Sequence, residues 1–193
     1  MSKGIMSVTD IHKALRLRHP SPAWVYFAEM RSQTGFAPAH TSERYLDGFA
    51  MGCWESTKLR RVAYEIKITR SDWLNELKNP LKRQFALAIS HEFWFALAPG
   101  VTKISYEFGE RPVGRWPDWE GREAFDLRGC GVLEVQDDRV CKVLRRAASR
   151  RAWPMPESFI ASLLRRVDVE PTENGSRNTA EPLFRTMELG FPG

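Results

Sequence analysis

The chain has no Cys-x-x-Cys pair, no long apolar run and no internal repeat. Its three cysteines, Cys53, Cys130 and Cys141, stand far apart. An odd, widely spaced set argues against a disulfide framework and a structural zinc site. Three thiols also cannot fill an all-cysteine iron–sulfur site. Reduced core cysteines in a cytosolic protein are expected. No apolar run approaches the roughly 18 residues that a membrane-spanning helix needs. The opening Met1-Ser2-Lys3-Gly4-Ile5-Met6-Ser7 lacks a secretory apolar stretch. A soluble, cytoplasmic protein without a membrane partner is therefore expected. His12, His19, His40 and His91 show no metal-ligand spacing and read as structural or surface residues.

What is present is an ordinary globular composition: 193 residues, 42% hydrophobic and 27% charged, with seven Trp and eleven Phe to fill a core. That length suits one domain plus a tail. The net charge of +5 and the pI near 9.3 favour an anionic partner, nucleic acid first among them.

Thr9 is a candidate cap for a helix over 10–18, which stops at His19-Pro20. A second helix is predicted from Pro22 through Trp24, Phe27, Glu29 and Met30 towards Gly35. A loop over 36–43, a strand near 44–52, a turn at Glu55-Ser56-Thr57-Lys58 and a strand over 61–69 follow. Ser71 is a candidate cap for a short helix, and Asn79-Pro80 restarts a second one carrying Leu81, Gln84, Phe85 and Ala88 on one face. Phe93-Trp94-Phe95-Ala96-Leu97-Ala98 is apolar at every position, as in a strand buried on both faces. Residues 101–128 read as an ordered loop or insertion whose aromatics pack it or stack on bases. A hairpin over 132–143 and an amphipathic helix over 156–167 complete the domain, residues 1–169. Residues 170–193 read as a mobile tail.

Val62-Ala63-Tyr64-Glu65-Ile66-Lys67-Ile68-Thr69 alternates strictly. Val62, Tyr64, Ile66 and Ile68 make an apolar face, and Glu65 and Lys67 stand together on the other. Asp47 lies inside the apolar strand Tyr45–Met51, where an unpaired carboxylate is costly without a cation or hydrogen bonds. Mg²⁺ takes hard oxygen ligands in octahedral geometry. Asp47, Glu65 and the Ile66 carbonyl could supply them, with Lys67 beside the ion to stabilise a developing anion. The competing reading is a solvated Glu-x-Lys face with Asp47 as a turn or cap residue. The hairpin, which lets the polar positions meet, favours the metal site.

At these residues the chain resembles the PD-(D/E)XK, or restriction-endonuclease-like, nucleases, particularly compact bacterial DNA-repair and phage-encoded members. The resemblance rests on Arg44-Tyr45-Leu46-Asp47-Gly48-Phe49 and Tyr64-Glu65-Ile66-Lys67-Ile68-Thr69-Arg70-Ser71-Asp72-Trp73. It continues through Asn79-Pro80-Leu81-Lys82-Arg83-Gln84 and the Phe93–Phe95 strand, covering roughly residues 24–145. It implies an α/β fold with a central mixed sheet flanked by helices, a nuclease core over about 22–145, and a C-terminal hairpin and helix. It implies Mg²⁺ or Mn²⁺ on Asp47 and Glu65, Lys67 as the catalytic lysine, and a setting in bacterial or phage-infected cytoplasm. Members often add a glutamate from the preceding helix. Glu29 matches that place, the alternative being an ordinary exposed helix carboxylate. Some relatives carry Gln-x-x-x-Tyr after the lysine strand; Gln84 is present, but Ala88 replaces the tyrosine. Leu46 stands where the pattern has proline.

Arg70, Lys82, Arg83, Lys142, Arg145, Arg146, Arg150 and Arg151 are candidate phosphate contacts, the last five in a stretch without acids. The expected activity is metal-dependent hydrolysis of DNA phosphodiesters in repair, recombination or phage DNA metabolism. The alternative is an inactive DNA-binding accessory protein on the same fold. DNA is the expected partner, with a homodimer or protein partner left open.

Overall fold

The computed structural model describes residues 6–32, 45–102, 105–107, 111–113, 127 and 129–167, with only the backbone of 105–107 and 111–113. The loop expected at 36–43, the tail from 170, His40 and most of 101–128 lie outside the described residues.

The chain forms an α/β fold whose six-stranded mixed sheet runs in the order β1-β2-β3-β4-β7-β8. These strands are β1 (Trp24–Arg31), β2 (Tyr45–Gly52), β3 (Arg61–Lys67), β4 (Glu92–Leu97), β7 (Gly131–Val135) and β8 (Cys141–Arg145). β1, β2 and β3 pair antiparallel, β4 lies parallel to both β3 and β7, and β8 closes antiparallel on β7. Two short strands, β5 (Ser105–Glu107) and β6 (Arg111–Val113), form a separate ladder within the stretch expected as loop or insertion. Four helices are described: α1 (Val8–Arg18), α2 (Arg70–Lys78), α3 (Gln84–Ile89) and α4 (Glu157–Val167).

The largest departure from expectation is β1. Residues 24–31 were expected in a helix beginning at Pro22, yet they form a strand paired with β2 from Trp24↔Gly52 to Arg31↔Tyr45. Trp24, Val25, Tyr26 and Phe27 are strong strand formers. The open edge of β2 rewards them with ladder bonds and buried area that a local helix lacks. None of the three expected helix caps, Thr9, Ser71 and Asn79, serves as one. α1 is capped by Ser7, not Thr9, in a reciprocal Ser7/Asp10 box. α2 is capped by Thr69, whose hydroxyl accepts the Asp72 N–H, not by Ser71. After Asn79 comes one 3₁₀ turn over Pro80–Arg83 before α3 begins; Asn79 gives no side-chain cap and donates to the Asn75 carbonyl instead.

The expectation for β4 holds. Phe93 through Leu97 are buried, between two parallel neighbours. One face of the sheet receives α1, where His19 Nε2 meets the Tyr64 hydroxyl at 2.6 Å and His12 Nδ1 meets the Tyr26 hydroxyl at 2.7 Å. These bonds satisfy the polar ends of two buried tyrosines. The opposite face receives α2, α3 and α4. There Trp73 packs edge-on to Phe95, and Phe159 packs against both Phe49 and Phe85. The three cysteines are free, and Cys53 is exposed rather than part of the core as expected.

Candidate active site

Gly48↔Tyr64 and Phe49↔Ala63 set the register of β2 on β3. One step further along this register, Asp47 falls opposite Glu65. Strand alternation puts both on the face that carries Phe49 and Ala63. The β2–β3 ladder ends at Gly48↔Tyr64. Beyond it the Ile66 N–H donates to Asp47 Oδ2 at 2.8 Å instead of to a β2 carbonyl. The strand pair therefore opens where its two acids meet. Gly48 keeps this corner tight, since a Cβ there would come within 2.5 Å of the Tyr26 hydroxyl.

Lys67, on the same face, donates from Nζ to Glu65 Oε1 at 2.6 Å and lies 3.6 Å from Glu76 Oε2. Glu76 is 5% exposed and lies 3.8 Å from Arg83, itself buried with its guanidinium over the Phe95 ring. Three carboxylates, Asp47, Glu65 and Glu76, thus share two cations. Burial and the Asp47 charge push the Glu65 carboxyl up to about 7, against the pull of Lys67. Burial lowers Lys67, but Glu65, Glu76 and Asp47 outweigh it and hold the ammonium above its usual range.

The other candidates are distributed as follows. Glu29 is not on a preceding helix. It sits in β1, exposed, with φ 52°, between the Ala28↔Gly48 and Met30↔Leu46 pairs, so that Asp47 is the position it faces. Arg166 of α4 fastens this irregularity by donating to the carbonyls of Ala28 and Glu29 at 3.2 and 3.0 Å. Gln84 is exposed at the start of α3. Arg83 is buried inside the carboxylate network rather than on the surface. Arg70 reaches the Val101 carbonyl, and Arg150 the Gly129 carbonyl. Lys82, Lys142, Arg146 and Arg151 are exposed, and Arg145 is half-buried. The 142–151 stretch is β8 followed by chain without helix or strand, so its cations share no helical face.

Glu76 went unrecognised in the sequence, although a signal was present. Trp73, Glu76 and Leu77 fall on one helical face. An acid on the apolar side of a short helix needs a buried cation.

Among the described residues, no three His, Cys, Asp or Glu side chains converge as a metal site. The available donors are the Asp47 and Glu65 carboxylates and the Ile66 carbonyl. All are hard oxygens, and the excess of negative charge around them fits Mg²⁺ or Mn²⁺. Compared with family models, curated proteins and solved structures, the chain matches none.

Proposed function

We propose that the protein is a metal-dependent nuclease that hydrolyses DNA phosphodiester bonds on a restriction-endonuclease-like core. The proposed setting is DNA repair, recombination or phage DNA metabolism in the cytoplasm. One juxtaposition carries this reading: Asp47 and Glu65 face each other where β2 and β3 part, with Lys67 2.6 Å from Glu65. Asp47, Glu65 and the Ile66 carbonyl would hold Mg²⁺ or Mn²⁺, which supplies a Lewis acid for phosphate and water. The chain's own groups do the rest. The Ile66 N–H fixes the Asp47 carboxylate. Lys67 opposes charge as it builds on the phosphate oxygens. Glu76, backed by Arg83, holds the Lys67 amine on the site's side of α2.

One observation favours an inactive DNA-binding protein instead. Lys67 already neutralises the Glu65 oxygen that a metal would need. Nicking of supercoiled plasmid in Mg²⁺ separates the two. The proposal expects cleavage that falls by about 10²-fold or more in Lys67→Ala, with the circular dichroism spectrum unchanged. Salt-sensitive binding with no cleavage in either Mg²⁺ or Mn²⁺ would establish the second reading.

A further inference from the structure

At the other end of the β2–β3 hairpin lies a cavity of about 610 Å³. Met51, Leu59 and Met155 give it apolar walls, and Lys58, Arg61 and His91 also line it. Its polar groups share one character. No carboxylate pairs with Arg61 or Lys58 among the described residues. The nearby Arg60 is taken by Glu92 at 2.7 Å. His91 Nδ1 accepts the Arg61 N–H at 3.0 Å, which leaves the proton of a neutral ring on Nε2. Burial together with Arg61 and Arg60 lowers the His91 pKa and keeps the ring neutral. The cavity therefore offers two cations and a ring donor against apolar walls.

The rim is built rather than slack. Lys58 and Leu59 hold consecutive left-handed conformations, φ 54° and 47°. Such backbone is strained for residues other than glycine and persists only where its surroundings fix it. Here the Thr57 hydroxyl donates to the Trp54 carbonyl at 2.6 Å, the Gly52 N–H donates to the Arg60 carbonyl, and Trp54 Nε1 donates to the Pro22 carbonyl. The outcome is a 58% exposed Leu59 held next to Lys58 at the cavity mouth. Arg61 projects from the same face of β3 as Glu65 and Lys67. It lies four positions before Glu65, about 13 Å at strand rise.

We infer that this cavity takes one nucleotide of a DNA strand, its phosphate on Arg61 and Lys58 and its base against Met51, Leu59 and Met155. An anion with a flat apolar body fits two cations and a ring donor with no carboxylate among the lining residues, Cys53 included, and apolar walls beside them. A peptide, by contrast, would bring backbone N–H groups that find no side-chain acid here. The inference rests on the nuclease reading for its ligand and deepens it by adding a contact away from the carboxylates.

The test is fluorescence anisotropy of a labelled single-stranded oligodeoxynucleotide on the full chain, without Mg²⁺ so that cleavage plays no part. Arg61→Gln with Lys58→Gln should weaken binding by about tenfold and flatten the salt slope by about 0.7, the single-strand value for one phosphate. Lys58 is exposed, so Lys58→Glu, which leaves the core untouched, should weaken binding as well. Unchanged affinity and slope in these variants overturn the inference. It is also overturned if free dAMP binds as tightly as the strand, or if the same changes abolish binding of an acidic peptide but not of DNA. Plasmid nicking by the same variants keeps the two readings apart. Cleavage with normal strand binding sinks the cavity alone, and weakened binding in a chain that never cleaves sinks the nuclease alone.

Discussion

Between Asp47 and Lys67 the Glu65 carboxyl is pulled two ways. Burial and Asp47 raise it to about 7, while Lys67 works against them. An acid whose folded value exceeds its unfolded one binds an extra proton in the native state. Stability therefore falls as pH rises through the window from 4.5, its ordinary value, to about 7. The loss is at most about 3 kcal/mol. A divalent ion on Asp47 and Glu65 competes with that proton. Saturating Mn²⁺ should raise the Tm by several degrees at about pH 8 and hardly at all at about pH 5. Asp47→Asn should remove the difference, as differential scanning fluorimetry would read. Equal shifts at both pH values would place the ion elsewhere. At this scale the sequence was informative where chemistry and alternation coincide, at Asp47, Glu65 and Lys67. It was silent on Glu76, whose meaning depends on a helix docking its acid over the Lys67 amine.

At the scale of elements, legibility followed how local the cause was. The β2–β3 hairpin, doubly buried β4 and the helix now called α4 each carry their pattern within a few residues. β1 does not. Trp24, Phe27, Ala28 and Met30 are spaced as on a helix, and only the free edge of β2 decides for a strand. Consequently Glu29 stands opposite the Asp47 position at a strand irregularity and not on a helix. α4 holds that region from the other side, with Phe159 wedged between Phe49 and Phe85 and Arg166 on the β1 carbonyls. Phe159→Ala should cost about 3–5 kcal/mol in urea unfolding, as a fully buried aromatic is lost. A change below about 1 kcal/mol would mean that α4 is only loosely docked and does not support the site.

For the whole molecule, the sheet brings the two acids to one opening and leaves exposed cations at Lys82, Lys142, Arg146 and Arg151. The +5 charge raised the expectation of an anionic partner, but did not say which cations stay on the surface. Arg83 and Arg150 are spent inside the fold. If the four exposed residues contact phosphates, log Kd for a DNA duplex should rise with log salt at a slope of about 4. Salt-independent binding in an anisotropy titration would contradict that. No helix among the described residues is long and apolar enough to cross a membrane.

Crystals soaked in Mn²⁺ and measured at a wavelength where manganese scatters anomalously give the most direct view. The account predicts one strong peak flanked by the Asp47 and Glu65 carboxylates and the Ile66 carbonyl, with Lys67 Nζ moved off Glu65. Density without such a peak, with Lys67 still bonded to Glu65 under saturating metal, would contradict it.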